Sequence, residues 1–160
     1  MNTISDINFG ELQSLLAKFG LQVNSVDSNE KIPGSYWGEP EAGIIGNQLY
    51  VKSETPVHSA LHEACHYICM DHLRRVQLDT DTGGDYDEEN AVCYLQILLA
   101  DYISNFNRQK MQANMDEWGY TFRLGSAKKW FELDAADARQ WLLAHALIDQ
   151  QSKPTWNVRA

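Results

Sequence analysis

Three things are scarce in this chain, and each scarcity narrows what it can be. Cysteine is one: the 160 residues hold only Cys65, Cys69 and Cys93. An odd number set among apolar neighbours suits reduced core thiols better than a disulfide framework. Positive charge is another, because 13 Lys and Arg against 22 Asp and Glu leave a net charge of −9. That field repels a phosphate backbone and argues against nucleic acid as a partner, and the short pairs Arg74-Arg75 and Lys128-Lys129 read as solvated faces. Long apolar runs are the third: no segment can span a bilayer, and the opening MNTISDINFG has neither the basic start nor the apolar stretch of a signal peptide. The expectation is a soluble, cytoplasmic protein with no membrane association. What is present is 44% hydrophobic residues and five tryptophans, enough for the core of one domain spanning 1–160, without internal repeat, low-complexity segment or linker.

The stretch that organises the chain is His62-Glu63-Ala64-Cys65-His66, which fits the pattern H-E-x-x-H. Histidines four residues apart on an α-helix lie about 40° apart, so both imidazoles reach one ion. A zinc hydrolase needs that pair, an open coordination position and a nearby carboxylate to take a proton from water, the role that falls to Glu63. Thr55-Pro56 reads as an N-cap followed by proline at the first helical position, opening a helix that runs to about Asp71 or His72. Val57, Ala60, Leu61, Ala64, Cys65, Ile68 and Cys69 make it mostly apolar. Without a metal, a His-Glu-His set buried in such a helix would be costly to desolvate.

Elsewhere the apolar spacing from Ile4 to Phe19 predicts a helix stopped by Gly20, with a short strand over Leu21–Val26 and turn chemistry at Ile32–Ser35. Ile44–Lys52, rich in β-branched and aromatic residues, reads as one strand leading into the metal helix and lying along the cleft. Asp79–Asp85 is a polar, glycine-rich loop that lacks the glutamate an EF-hand requires at its twelfth position. A second helix starts near Asp87, capped by Asp87 or Asp85, with Glu88, Ala91, Val92, Leu95 and Leu99 on one face. Asn105–Gly119 extends that helix or forms another, Tyr120–Leu124 is a short strand, and Ser126–Phe131 and Asp134–Asp149 are helices, the latter capped by Asp134. The tail 152–160 is expected to be loose. The class is α+β: a small sheet, the motif helix, a second glutamate-bearing helix and a helical C-terminal part.

A catalytic zinc ordinarily takes three protein ligands. His72 reproduces the spacing H-E-x-x-H-x-x-G-x-x-H, except that Cys69 stands where the turn-making glycine belongs. Glu88 is the better candidate, on a separate helix whose apolar face can pack on the first, and Glu89, about 100° round that helix, is its rival. Glu88-Glu89-Asn90-Ala91, followed by Tyr94 and Leu98-Leu99, resembles the second motif of gluzincin-type metallopeptidases, most nearly the ImmA/IrrE-type family, whose E-x-x-A-N-x-F-A element precedes a pair of leucines. Val92 and Leu95 depart from that pattern, as in a divergent member. The resemblance covers about Gly43 to Tyr102.

It implies a compact zincin-like fold with a metal-site core at about 43–103, zinc held by His62, His66 and Glu88, and Glu63 as general base in peptide-bond hydrolysis. The partner would be a peptide or protein substrate, pairing with Ile44–Lys52 as an edge strand. His145, Tyr120 and Tyr67 are the candidates to stabilise an oxyanion. The competing expectation is a zincin-like domain that binds a peptide or protein and no longer cleaves it.

Overall fold

A computed structural model describes residues 1–160 as an α+β fold, a three-stranded sheet on a helical body. The first helix, α1 (Phe9–Ala17), is capped by Asn8, whose side chain accepts a bond from the Glu11 amide at 3.0 Å. That cap separates α1 from a single 3₁₀ turn at Ile4–Asp6, so the expected helix from Ile4 is broken in two. Gly20, at φ +85°, takes the chain out of the helix and into β1 (Gln22–Ser25).

Ile44–Lys52 is not one strand. Gly46-Asn47 folds it into a hairpin of β2 (Gly43–Ile45) and β3 (Gln48–Val51). β3 lies in the middle of the sheet, antiparallel to β2 and parallel to β1. At Gly43 a Cβ would stand 1.8 Å from the Pro33 carbonyl oxygen, so only glycine lets the 33–42 loop close on the sheet. Gly43→Ala is expected to cost at least about 2 kcal/mol, because the obstacle is backbone and cannot swing away; chemical denaturation would show it as a lower midpoint at unchanged slope.

α2 (Val57–Cys69) carries the motif. Thr55 does not cap it: Pro56 holds the N-cap position, while the Thr55 hydroxyl closes the preceding turn by accepting from the Lys52 amide at 2.9 Å. The helix stops at Met70, which is extended, and a short α3 (His72–Arg75) begins after Asp71 caps the Arg74 amide. α4 (Tyr86–Ala100) is capped by Asp85 and packs chiefly between α2 and α7. Every residue of α4 from Ala91 to Ala100 is buried.

α5 (Arg108–Trp118), α6 (Ala127–Leu133) and α7 (Ala136–Ala144) complete the body, so Asn105–Gly119 forms a separate helix. Tyr120–Leu124 is not a strand: Tyr120–Phe122 are irregular and lead into a 3₁₀ segment at Arg123–Gly125. Nor does Asp134 cap α7, since its carboxylate pairs with Arg123 at 2.6 Å, and the helix ends at Ala144. The tail 152–160 is packed, not loose. Pro154 bridges to Ile148, Trp156 sits against Phe19 and Tyr102 with the Lys18 ammonium 4.1 Å from its ring, and the Arg159 amide donates to the Ile68 carbonyl at 2.9 Å. No helix is long and apolar enough to cross a membrane.

Candidate metal centre

One turn apart on α2, His62 and His66 turn their Nε2 atoms towards each other at 3.1 Å. α4 crosses so that Glu89 closes the triangle, Oε1 at 3.2 Å from His62 Nε2 and Oε2 at 3.0 Å from His66 Nε2. Ligand atoms about 2.0–2.1 Å from a zinc ion stand about 3.3 Å from one another at the corners of a tetrahedron. The observed spacings are of that order, the two from Glu89 being to its two separate oxygens, and one donor atom from each residue lies within 4.8 Å of the others, so the set could hold a metal ion. Two nitrogens and a carboxylate oxygen are also a donor combination that zinc takes.

The tautomer of His62 is fixed from behind. Its Nδ1 lies 2.6 Å from Oε1 of the buried Gln96. An amide oxygen only accepts, so Nδ1 carries a proton and Nε2 is the nitrogen turned to the centre, where a bound ion takes the place of its proton. Gln96 is held in turn by its Nε2, which donates to the His58 carbonyl at 3.4 Å. For a metal ion held by this triangle, Gln96→Leu is expected to weaken binding about ten- to a hundred-fold, the usual scale for removing such an outer partner; competition against a fluorescent chelator would measure it.

Burial disfavours charge on both imidazoles, yet Tyr120, Cys93 and Glu89 together lift His62 well above the usual range. For His66 burial prevails and lowers it. Burial also works against the Glu89 carboxylate, but hydrogen bonds from the two histidines hold it well below the usual range. The centre therefore keeps its carboxylate ionised, as a ligand must be.

Glu63 lies beside His62 in the same cleft. Burial pushes its carboxyl up to about 7, His62 pulls against the rise, and Glu41 and Glu89 add to it. A carboxyl that titrates near neutrality is suited to accept and return a proton. The cleft has a volume of about 640 Å³, with Tyr36-Trp37, Thr80–Gly84 and Trp118–Tyr120 as its walls. Trp37 stands at the mouth, 78% exposed. Compared with known protein families, characterised proteins and solved structures, the chain has no match.

Of the residues expected at the site, His62, Glu63 and His66 meet there and Glu88 does not. Its carboxylate, 3% exposed as a residue, is gripped by Arg74 at 2.8 and 2.7 Å and by Arg159 at 3.1 Å. Packing of α4 on every side removes the premise that its apolar face is the one turned to α2. The inward stripe is instead Glu89, Cys93 and Gln96, of which Cys93 and Gln96 both bear on His62. A signal for it was present: Glu89 and Gln96, two helical turns apart, are the polar residues of one line along a helix that beyond Asn90 is otherwise apolar or aromatic.

His72 is exposed on α3, away from the triangle. His145 packs on Trp141, with ring centres 4.1 Å apart, and Tyr67 lies under Arg75; neither lines the cleft. Tyr120 does, but its hydroxyl is engaged with His58 Nδ1 at 3.1 Å. Burial, with His62 adding to it, drives His58 down to about 3 and keeps it neutral.

The expected substrate edge is also taken. Ile44, facing away from β3, donates its amide to Gly34 at 3.1 Å and accepts at its carbonyl from the Thr80 amide at 2.9 Å, while the Gly46 amide reaches Leu78 at 2.8 Å. On the other flank the Ala42 amide donates to Ser59 Oγ at 2.9 Å. β2 therefore offers an incoming peptide no free backbone pair, unlike the open edge that strand addition needs.

Proposed function

We propose that the protein is a zinc-dependent metallopeptidase of gluzincin type, with His62, His66 and Glu89 as the metal ligands and Glu63 as general base. One observation carries the reading: two imidazole nitrogens and a carboxylate converge at 3.0–3.2 Å, with Gln96 holding His62 by Nδ1 so that Nε2 faces the gap. When bound, zinc supplies Lewis acidity, polarising the scissile carbonyl and acidifying a water molecule. Glu63 takes the proton from the attacking water and returns it to the departing amine nitrogen, so the peptide bond is exchanged for a carboxylate and an amine. The cleft walls Tyr36, Trp37 and Trp118 give an unfolded peptide flat apolar surfaces to lie against.

Glu41, Glu63, Asp81 and Glu89 make the cleft acidic, which supports a peptide over a nucleic acid. All three cysteines are free and buried, and this supports a reducing, cytoplasmic setting. The test is metal analysis of purified protein after incubation with zinc and exhaustive dialysis. About one zinc per chain is expected; its absence would sink the reading. The second reading, a zincin-like module that holds a peptide without cutting it, is favoured by the occupied edge of β2 and by the engagement of the Tyr120 hydroxyl with His58. A zinc-loaded protein that binds unfolded peptides and leaves them intact would decide for it.

A further inference from the structure

The three ligand atoms come from only two helices, and one of them comes from the weak end of its helix. Glu89 lies in the first turn of α4, where helices fray and where the amides are held by one residue, Asp85, whose carbonyl accepts from Glu89 at 3.0 Å and whose side chain accepts from Glu88 at 2.9 Å. Tyr86 and Asp87 in the same turn are exposed, and burial of the helix body begins at Ala91. Glu88 is the residue that anchors this turn.

What anchors Glu88 includes the tail. Arg159 Nη1 donates to Glu88 Oε1 at 3.1 Å and to the Cys69 carbonyl at 3.3 Å, and the Arg159 amide donates to the Ile68 carbonyl at 2.9 Å. Ile68 and Cys69 form the end of α2, just beyond His66. A single residue is thus bonded to the last turn of the helix bearing both histidines and to the first turn of the helix bearing the carboxylate. Arg75 Nη2 fixes it from outside by donating to the Arg159 carbonyl at 2.8 Å, and the Arg159 guanidinium lies 5.2 Å from the Trp141 ring.

We propose that Arg159 is a positioning residue of the metal centre, a tie between α2 and α4 that sets the distance from Glu89 to His62 and His66. The inference rests on the reading of those three residues as a zinc site. A tie of this kind acts on metal affinity, because three ligands bind one ion strongly only when they are already spaced for it. A merely structural contact would act on the melting temperature and leave affinity alone.

The experiment compares the zinc affinity of wild type, Arg159→Ala, Arg159→Lys and Arg139→Ala by competition with a fluorescent chelator, and records thermal melts of the metal-free proteins. Arg139 secures the tail elsewhere, through Ser152 Oγ and the Gln150 carbonyl, both at 2.7 Å, and serves as the control. Arg159→Ala should weaken zinc about ten- to a hundred-fold while the metal-free protein still melts cooperatively. Arg159→Lys, which keeps a charge for Glu88, should fall between it and wild type, and Arg139→Ala should bind zinc as wild type does. The assignment is overturned by an Arg159→Ala protein with wild-type affinity, by one that is unfolded without metal, or by an equal loss in Arg139→Ala. A wild type that takes up no zinc would defeat the metal reading itself, a result distinct from any of these.

Discussion

Glu63→Gln is expected to keep one zinc per chain and lose peptide hydrolysis by about a hundred- to ten-thousand-fold in kcat, the range over which a positioned base contributes. The amide is close in size and leaves His62, His66 and Glu89 untouched, so the metal should stay. It cannot take a proton, so turnover should go. Glu63 is pushed up to about 7 chiefly by burial, and a neutral amide removes the cost of placing a charge there; the variant should be at least as stable as wild type. Single-turnover cleavage of a quenched peptide, beside metal analysis, measures both halves. Undiminished cleavage would take the base role from Glu63, and loss of zinc would show that its carboxylate helps hold the ion.

Glu89→Ala and Glu88→Ala should fail in opposite ways, although the residues are neighbours. On the proposed reading, removing the Glu89 carboxylate takes away one of three ligands, and dialysed protein should retain well under one zinc per chain. Its side chain is 47% exposed, so the fold should survive with little change. Removing the Glu88 carboxylate leaves Arg74 and Arg159 facing a space that no longer holds an anion. Their side chains are 33% and 25% exposed, so water offsets part of the loss, and a cost of about 2–3 kcal/mol is expected instead of the larger figure for a fully buried pair. Because Arg159 acts through Glu88, Glu88→Ala should bind zinc about ten- to a hundred-fold more weakly, as Arg159→Ala should, yet still take up one ion when zinc is supplied. Metal analysis and denaturant melts on both variants give four readings, and zinc lost from Glu88→Ala but kept by Glu89→Ala would reverse the ligand assignment.

The sequence carried the parts of the centre that depend on local spacing. His62, Glu63 and His66 are set by helical geometry alone, the stop at Gly20 follows from backbone chemistry at one position, and the cap was narrowed to Asp87 or Asp85, of which Asp85 serves. What it did not carry is which side of α4 meets α2. Periodicity identifies a helix face only when the opposite face is wet, and α4 is dry all round from Ala91 onward. Glu88 was the natural choice on a wheel, but three-dimensional packing assigns it two arginines that lie 14 residues before it and 71 after. The hairpin at Gly46-Asn47 had a legible turn signal that the β-rich run around it masked. The packing of the tail had none, because Arg159 is held by the shape of a surface that exists only after folding.

The closed edge of β2 bears on selectivity. Strand addition grips any unfolded chain through its main chain, whatever its side chains, and a protease built that way is broad in its appetite. Here Gly34, Leu78 and Thr80 already occupy the hydrogen-bonding positions that such a chain would use. On the proposed reading, recognition falls to side chains meeting Trp37, Glu41 and Trp118 in the cleft, so cuts should be few and sequence-dependent, and most cellular proteins should pass the enzyme unharmed.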